Sequence, residues 1–184
     1  MPTIFSHPAV PLAMAFGFGR RAVPRRLLMA GIAVSVLPDL DVIAFRLGIP
    51  YASEFGHRGF SHSLMFAALV ALAGAALHRR MAATFPTAFL FLFLSAASHG
   101  ILDAFTNGGL GIAFFWPFSG ERYFAWARVI EVSPIGLSHF LSQRGGAAFL
   151  SELFWVWLPC MVVGMLLGWL RTRAVSVLRS TANR

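Results

Sequence analysis

The sequence predicts an all-α, polytopic membrane helical bundle of four to five spans, and three observations carry that prediction. Of the 184 residues, 58% are apolar and only 12% charged, about half the charged fraction of a soluble domain. The apolar residues gather in long runs separated by short polar stretches. All the basic residues are Arg, with no Lys, and they cluster beside those runs, where the positive-inside rule places them. No internal repeat, low-complexity tract or linker divides the chain, so residues 1–184 read as one domain.

The first apolar run, Pro8 to Gly19, spans about 18 Å as a helix, short of a bilayer core of roughly 30 Å. It is either a span lengthened by Thr3 to His7 or a tilted, partly re-entrant helix. Arg20, Arg21, Arg25 and Arg26 follow it. Leu27 to Leu47 is the second segment, interrupted at Pro38-Asp39-Leu40-Asp41, where Pro38 weakens the helix. On an intact helix Asp39 and Asp41 point about 200° apart, so both face one centre only if the backbone departs from regular helix.

Gly48 to Phe60 reads as a loop and runs into His57-Arg58-Gly59-Phe60-Ser61-His62-Ser63. Leu64 to Leu77 is the next helix, closed by His78, Arg79 and Arg80. Thr84 to Phe105 follows and carries Ser98-His99-Gly100-Ile101-Leu102-Asp103 at its far end. A mixed, aromatic-rich region from Gly108 to Arg144 contains Trp116-Pro117, whose rings read as an interfacial belt. Ala147 to Leu170 is the last span, closed by Arg171, Arg173, Arg179 and Arg184.

Several function classes drop out. A net charge of +8 suggests nucleic acid in a soluble protein, but arginines flanking apolar runs answer to the membrane, so no nucleic-acid partner is expected. The single Cys160 lies in an apolar segment, which leaves neither a disulfide nor a thiolate metal site. Met1 to Ala15 has no basic n-region and no small-residue cleavage site, so no signal peptide is expected. Ser61 and Ser63 lack the context of a nucleophile elbow.

With every Arg cluster on the cytoplasmic side, His7, Asp39, Asp41, His57, His62, His99 and Asp103 all fall on the extracytoplasmic face. His99 and Asp103, four apart, share one helix face, and an imidazole beside a carboxylate is half of a divalent-metal site. Four imidazoles and three carboxylates suit zinc or another borderline divalent ion, one to three ions in all. Two ions about 3.5–4 Å apart would clamp a displacement at phosphorus. Asp41 is read as a ligand, as the proton acceptor, or as the group that orients a ligand histidine. His7 is read as a ligand or a solvated terminal histidine. Arg58 is read as a catalytic cation that holds a phosphate oxygen or as an interfacial arginine.

In this order, His7, Pro38-Asp39-Leu40-Asp41, HRGFSHS at 57–63, the SHxxxD element at 98–103 with Thr106, and Trp116-Pro117 resemble the YdjM-like family of bacterial inner-membrane proteins. The resemblance covers residues 1–120. It implies a metal-dependent hydrolase, distantly similar to zinc-dependent phospholipases C, with His99 and Asp103 matching the helical HxxxD pair. It further implies His57, His62, Asp39 and Asp41 as the remaining polar site residues, and assigns nothing beyond residue 120. The expectation is a multi-pass inner-membrane protein with a periplasmic metal site that hydrolyses a phospholipid or other phosphoester. The competing expectation is a non-catalytic metal-binding transporter or scaffold. A transporter would place its ionisable residues near the midplane in repeated, broken helices.

Overall fold

The computed structural model describes residues 2–133 and 143–182, with side chains to Ser176. The elements are helical throughout the described residues. Helix α1 (Ala9–Phe18) leads to α2 (Arg25–Val36), which passes into a 3-10 segment (Leu37–Val42) and a single turn, α3 (Ile43–Arg46). A loop with a short 3-10 turn (Phe60–His62) precedes α4 (Leu64–Ala75), and α5 (Phe85–Ala104) follows. Further along the chain, α6 (Gln143–Glu152), a π-helical turn (Leu153–Trp157) and α7 (Leu158–Ala182) run on from one another.

Local chemistry fixes these boundaries. Ser63 caps α4, its hydroxyl accepting from Phe66 N at 3.0 Å. Thr84 caps α5 by accepting from Thr87 N at 3.3 Å, and Pro86 occupies the first turn, where its missing N–H has no helical partner to lose. Gly19, at φ 79°, ends α1. The run from Arg25 to Arg46, with Phe85–Ala104 and Gln143–Ser176, is long and apolar enough to cross a membrane. Ala9–Phe18 and Leu64–Ala75 are apolar but shorter.

Helices α4 and α5 form a hairpin, α2 lies against α5, and α1 packs chiefly along α7. Small residues let that last pair approach. A Cβ on Gly17 would meet Leu167 Cβ at 2.6 Å, and one on Gly164 would meet Ala13 O at 3.1 Å, the close approach that membrane helices use. Val23, Leu27, Ala71, Ala75, Ala88 and Leu92 form the core at one end. Leu69, Leu72, Leu90, Leu94, Val162 and Leu166 face outward and exposed, as lipid-facing side chains do.

The chain reverses at each connection, so the two ends of the bundle differ. Arg20, Arg21, Arg25, Arg26, Arg79, Arg80, Arg171 and Arg173 mark one end. At the other end α1 begins, α2 breaks, α4 begins, α5 ends and α6 begins. Over this second end lies the segment 106–133, held by the isolated pairs Thr106 with Ile130 and Ile112 with Tyr123. It is further tied down by Leu64 N donating to Phe114 O at 3.0 Å and Ala113 N to Arg58 O at 3.2 Å.

Candidate metal centre

The break after Val36 decides where the two aspartates go. A 3-10 helix advances three residues per turn, so Asp39 and Asp41 diverge by about 120° instead of the roughly 160° of an α-helix. Asp39 is buried and turns toward α5 and α1. Asp41 turns toward the loop that carries His57 and His62. That loop is bent at Arg58, whose φ of 65° lies in the left-handed region rarely occupied by non-glycine residues. Arg122 pins it, donating to His57 O at 3.0 Å, Ser53 O at 2.9 Å and Tyr51 O at 3.2 Å.

Four side chains converge at the centre. One ligand atom each from Asp39, His62, His99 and Asp103 lie within 4.8 Å of one another. His99 Nε2 is 3.3 Å from Asp39 Oδ1 and 3.1 Å from His62 Nε2. His62 Nε2 is 3.4 Å from Asp103 Oδ2. Tetrahedral zinc with ligands at 2.0–2.1 Å has ligand-to-ligand edges of about 3.3 Å, so these three separations match the edges of a zinc tetrahedron.

The hydrogen bonds behind the ligand atoms set their protonation. His99 Nδ1 lies 2.7 Å from Ser35 O; a carbonyl only accepts, so Nδ1 carries the proton and Nε2 presents a lone pair in the neutral ring. His62 Nδ1 lies 3.2 Å from Asp41 Oδ2, the carboxylate–histidine arrangement that orients metal ligands. Both oxygens of Asp39 and both of Asp103 are buried without a hydrogen-bond partner. Their contacts are the ion pairs at 3.3–3.7 Å with Arg58 and the three histidines, and buried carboxylates are costly unless paired or bound to a metal. Three carboxylates, Asp39, Asp41 and Asp103, stand against the single guanidinium of Arg58, leaving two negative charges for a divalent cation. On these grounds the residues fit such an ion.

Burial opposes charge on His62, but the carboxylates of Asp103 and Asp41 beside it lift it to about 9. The metal-free cluster thus holds a proton between His62 and its acceptors. Burial, aided by neighbouring His99, lowers His7 to about 3. His7 enters from the start of α1, stacked on His99 with ring centroids 3.7 Å apart. Its Nε2 is 3.7 Å from Asp39 Oδ2, and neither ring nitrogen has a hydrogen-bond partner. A neutral, unpartnered imidazole at this distance is available as a further ligand.

The contacts of Asp41 and Arg58 choose among their readings. Asp41 receives His57 Nδ1 at 2.5 Å, Ser61 Oγ at 2.6 Å, Arg58 N at 3.2 Å and the His62 Nδ1 contact. These engage about all the lone pairs a carboxylate has, so Asp41 orients His57 and His62 and has none left to accept a proton. Asp41, His57 and His62 form a second cluster within 4.8 Å, but an ion there would have to displace the protons those bonds hold. Arg58, expected to hold a phosphate oxygen, is fully buried. It lies 3.3 Å from Asp103 through Nε and donates to Gly108 O at 2.7 Å and Thr106 Oγ1 at 3.0 Å. Its guanidinium is committed to the protein.

Sequence reasoning passed over Glu152. Only 1% exposed, it accepts from Thr3 N and Ser6 Oγ at 2.5 Å each and from the Thr3 hydroxyl. This ties the residues just before His7 to the far end of the chain. A carboxylate within an apolar run at membrane depth was the signal available. Of the residues expected at the site, Asp39, His62, His99 and Asp103 form the central group, with His7 beside it and His57 behind Asp41.

The fold and site define a class, an α-helical membrane protein with a buried histidine–aspartate cluster at one end of its bundle. The chain belongs to the YdjM inner membrane protein family, whose model matches residues 1–175, and it is accordingly an inner-membrane protein. It is 46% identical over 172 residues to inner membrane protein YbcI of Escherichia coli (strain K12), covering 93% of this chain and 99% of that protein. No solved structure matches it.

Proposed function

We propose that the chain is a metal-dependent hydrolase of the inner membrane that acts on a lipid-like phosphoester at the periplasmic face. The observation that carries this reading is the convergence of Asp39, His62, His99 and Asp103 at tetrahedral edge distances, with four buried carboxylate oxygens that accept no hydrogen bond. The all-nitrogen-and-oxygen donor set favours zinc or a similar ion. When bound, such an ion supplies Lewis acidity toward a phosphoryl oxygen and lets water ionise near neutral pH.

The chain's own residues do the rest. Ser35 O and Asp41 hold His99 and His62 with their Nε2 lone pairs inward. Arg58 offsets Asp103. The proton-accepting role passes from Asp41 to Asp39, whose two oxygens face His99 and His7 and accept no hydrogen bond. An apolar cleft of about 310 Å³, walled by Leu40, Ile43, Leu47 and Phe60 and floored by Asp41 and Ser61, supports a substrate with an acyl chain. The arginines at the opposite end support a bundle of four or five crossings with this site outside.

A non-catalytic metal-binding protein is the second reading. Four protein ligands and near-complete burial favour it, because structural zinc sites are closed while catalytic ones keep a position open. The deciding experiment measures metal content and phosphodiester hydrolysis on purified protein and on Asp39→Asn and Asp103→Ala. Hydrolysis that follows metal content and falls in both variants supports the enzyme. Bound metal without hydrolysis supports the second reading, and no metal after reloading overturns both. A reporter active only after export, fused after Arg184, should stay silent; activity would move the site to the other face.

A further inference from the structure

The arginine end carries a cavity of about 620 Å³ between α1, α2 and α7. Its rim holds Arg20, Arg25 and Arg171, and its wall is apolar, with Leu12, Phe16 and Met29 among the lining side chains. A neighbouring cavity of about 340 Å³ shares Arg20 and Arg171 and adds Arg21. The chain has seven Asp and Glu, and every one sits at the opposite end or in the segment that covers it. Among the described residues, none of these four arginines makes an ion pair.

Packing holds these cations together despite their repulsion. The Arg171 guanidinium occupies the space a Cβ on Gly19 would fill, and Gly19 has φ 79°. The bare backbone at Gly19 therefore seats Arg171 directly beside Arg20. Other arginines at this end are engaged differently. Arg26 donates to Arg80 O at 3.1 Å, and Arg173 stacks on Trp169 with its guanidinium carbon 4.1 Å from the ring centre.

From this juxtaposition of a cationic rim and an apolar wall, we propose that the cavity binds an anionic phospholipid. Arg20, Arg25 and Arg171 hold its phosphate, and an acyl chain lies along Leu12, Phe16 and Met29. Basic pockets between membrane helices suit anionic headgroups, whereas a free anion has no use for the apolar wall. The inference is independent of the metal centre, which lies at the other end of α1.

The test is thermal stability and native mass spectrometry of the detergent-purified protein titrated with phosphatidylglycerol, phosphatidylcholine or inorganic phosphate. Phosphatidylglycerol should bind saturably and raise the melting temperature, while phosphatidylcholine and phosphate should not. The triple variant Arg20→Gln/Arg25→Gln/Arg171→Gln should bind at least about tenfold more weakly, because it removes the three cations that attract an anionic headgroup. Arg79→Gln/Arg80→Gln/Arg173→Gln, which removes equal charge from the same end, should bind normally. Should the first triple fold poorly, Met29→Trp narrows the cavity with every charge kept and should also weaken binding. Equal loss in the two triples, equal binding of phosphatidylcholine, equal stabilisation by phosphate, or full binding by Met29→Trp would overturn the proposal.

Discussion

Replacing Arg58 by Met tests the electrostatic construction of the centre directly. Arg58 and Asp103 are both fully buried and 3.3 Å apart, and removing one partner of a buried ion pair costs about 3–5 kcal/mol. Gly108 O and Thr106 Oγ1 lose donors at 2.7 and 3.0 Å, each adding roughly 1 kcal/mol. Methionine keeps the left-handed backbone at this position, so nothing is relieved there. The total is about 5–7 kcal/mol, and for a chain of this size roughly 2–4 °C per kcal/mol predicts a fall of about 10–28 °C in Tm. The assay is thermal unfolding in detergent with metal stripped, beside Asp103→Asn and the double variant. The double variant should recover much of the loss, because the orphaned charge is gone. Saturating zinc should raise the single variant more than the wild type, by binding the folded state and neutralising Asp103. An Arg58→Met protein within about 2 °C of wild type without metal, or a double variant no more stable than the single, would refute the argument.

Two further outcomes follow from groups around the centre. His62, raised from 6.5 to about 9, contributes stability that is complete below pH 6.5 and lost as pH rises through 9; the metal-free protein should therefore melt progressively lower across that window. His62→Gln should flatten the slope in a pH series of melting curves, and an unchanged slope would remove the proton from the cluster. Glu152→Gln replaces charge-assisted bonds to Thr3 and Ser6, each of roughly 1.5–3 kcal/mol, so its Tm should fall well below that of Ser6→Ala. Equal melting of the two would show that the charge is immaterial.

Much of the architecture is legible in the sequence because membrane helices declare themselves by run length, and arginine position orders their ends. The gathering of His7, Asp39, His57, His62, His99 and Asp103 follows from the same topology, since each sits at the end of its segment away from the arginine clusters. The division of labour between Asp39 and Asp41 is not legible. It depends on the phase of a 3-10 turn, and Pro38 announces a departure from α-helix without fixing its pitch. Arg58 misleads for a similar reason: a cation next to histidines reads as a substrate anchor until the backbone reversal at its own Cα buries it against Asp103. The lone pair on His99 depends on a main-chain carbonyl, Ser35 O, which no side-chain pattern encodes. Glu152 was visible as an acid among apolar residues, but its partners Thr3 and Ser6 are 149 and 146 positions away.

That separation bears on how the molecule comes into being. Translation delivers His7 before every other imidazole, yet α1 packs chiefly along α7, and the residues leading into His7 are moored by Glu152. Asp39, His62, His99 and Asp103 can meet as soon as α5 has entered the bilayer. Until α6 and α7 are made, α1 lacks its chief packing partner, and the residues leading into His7 lack the carboxylate that moors them.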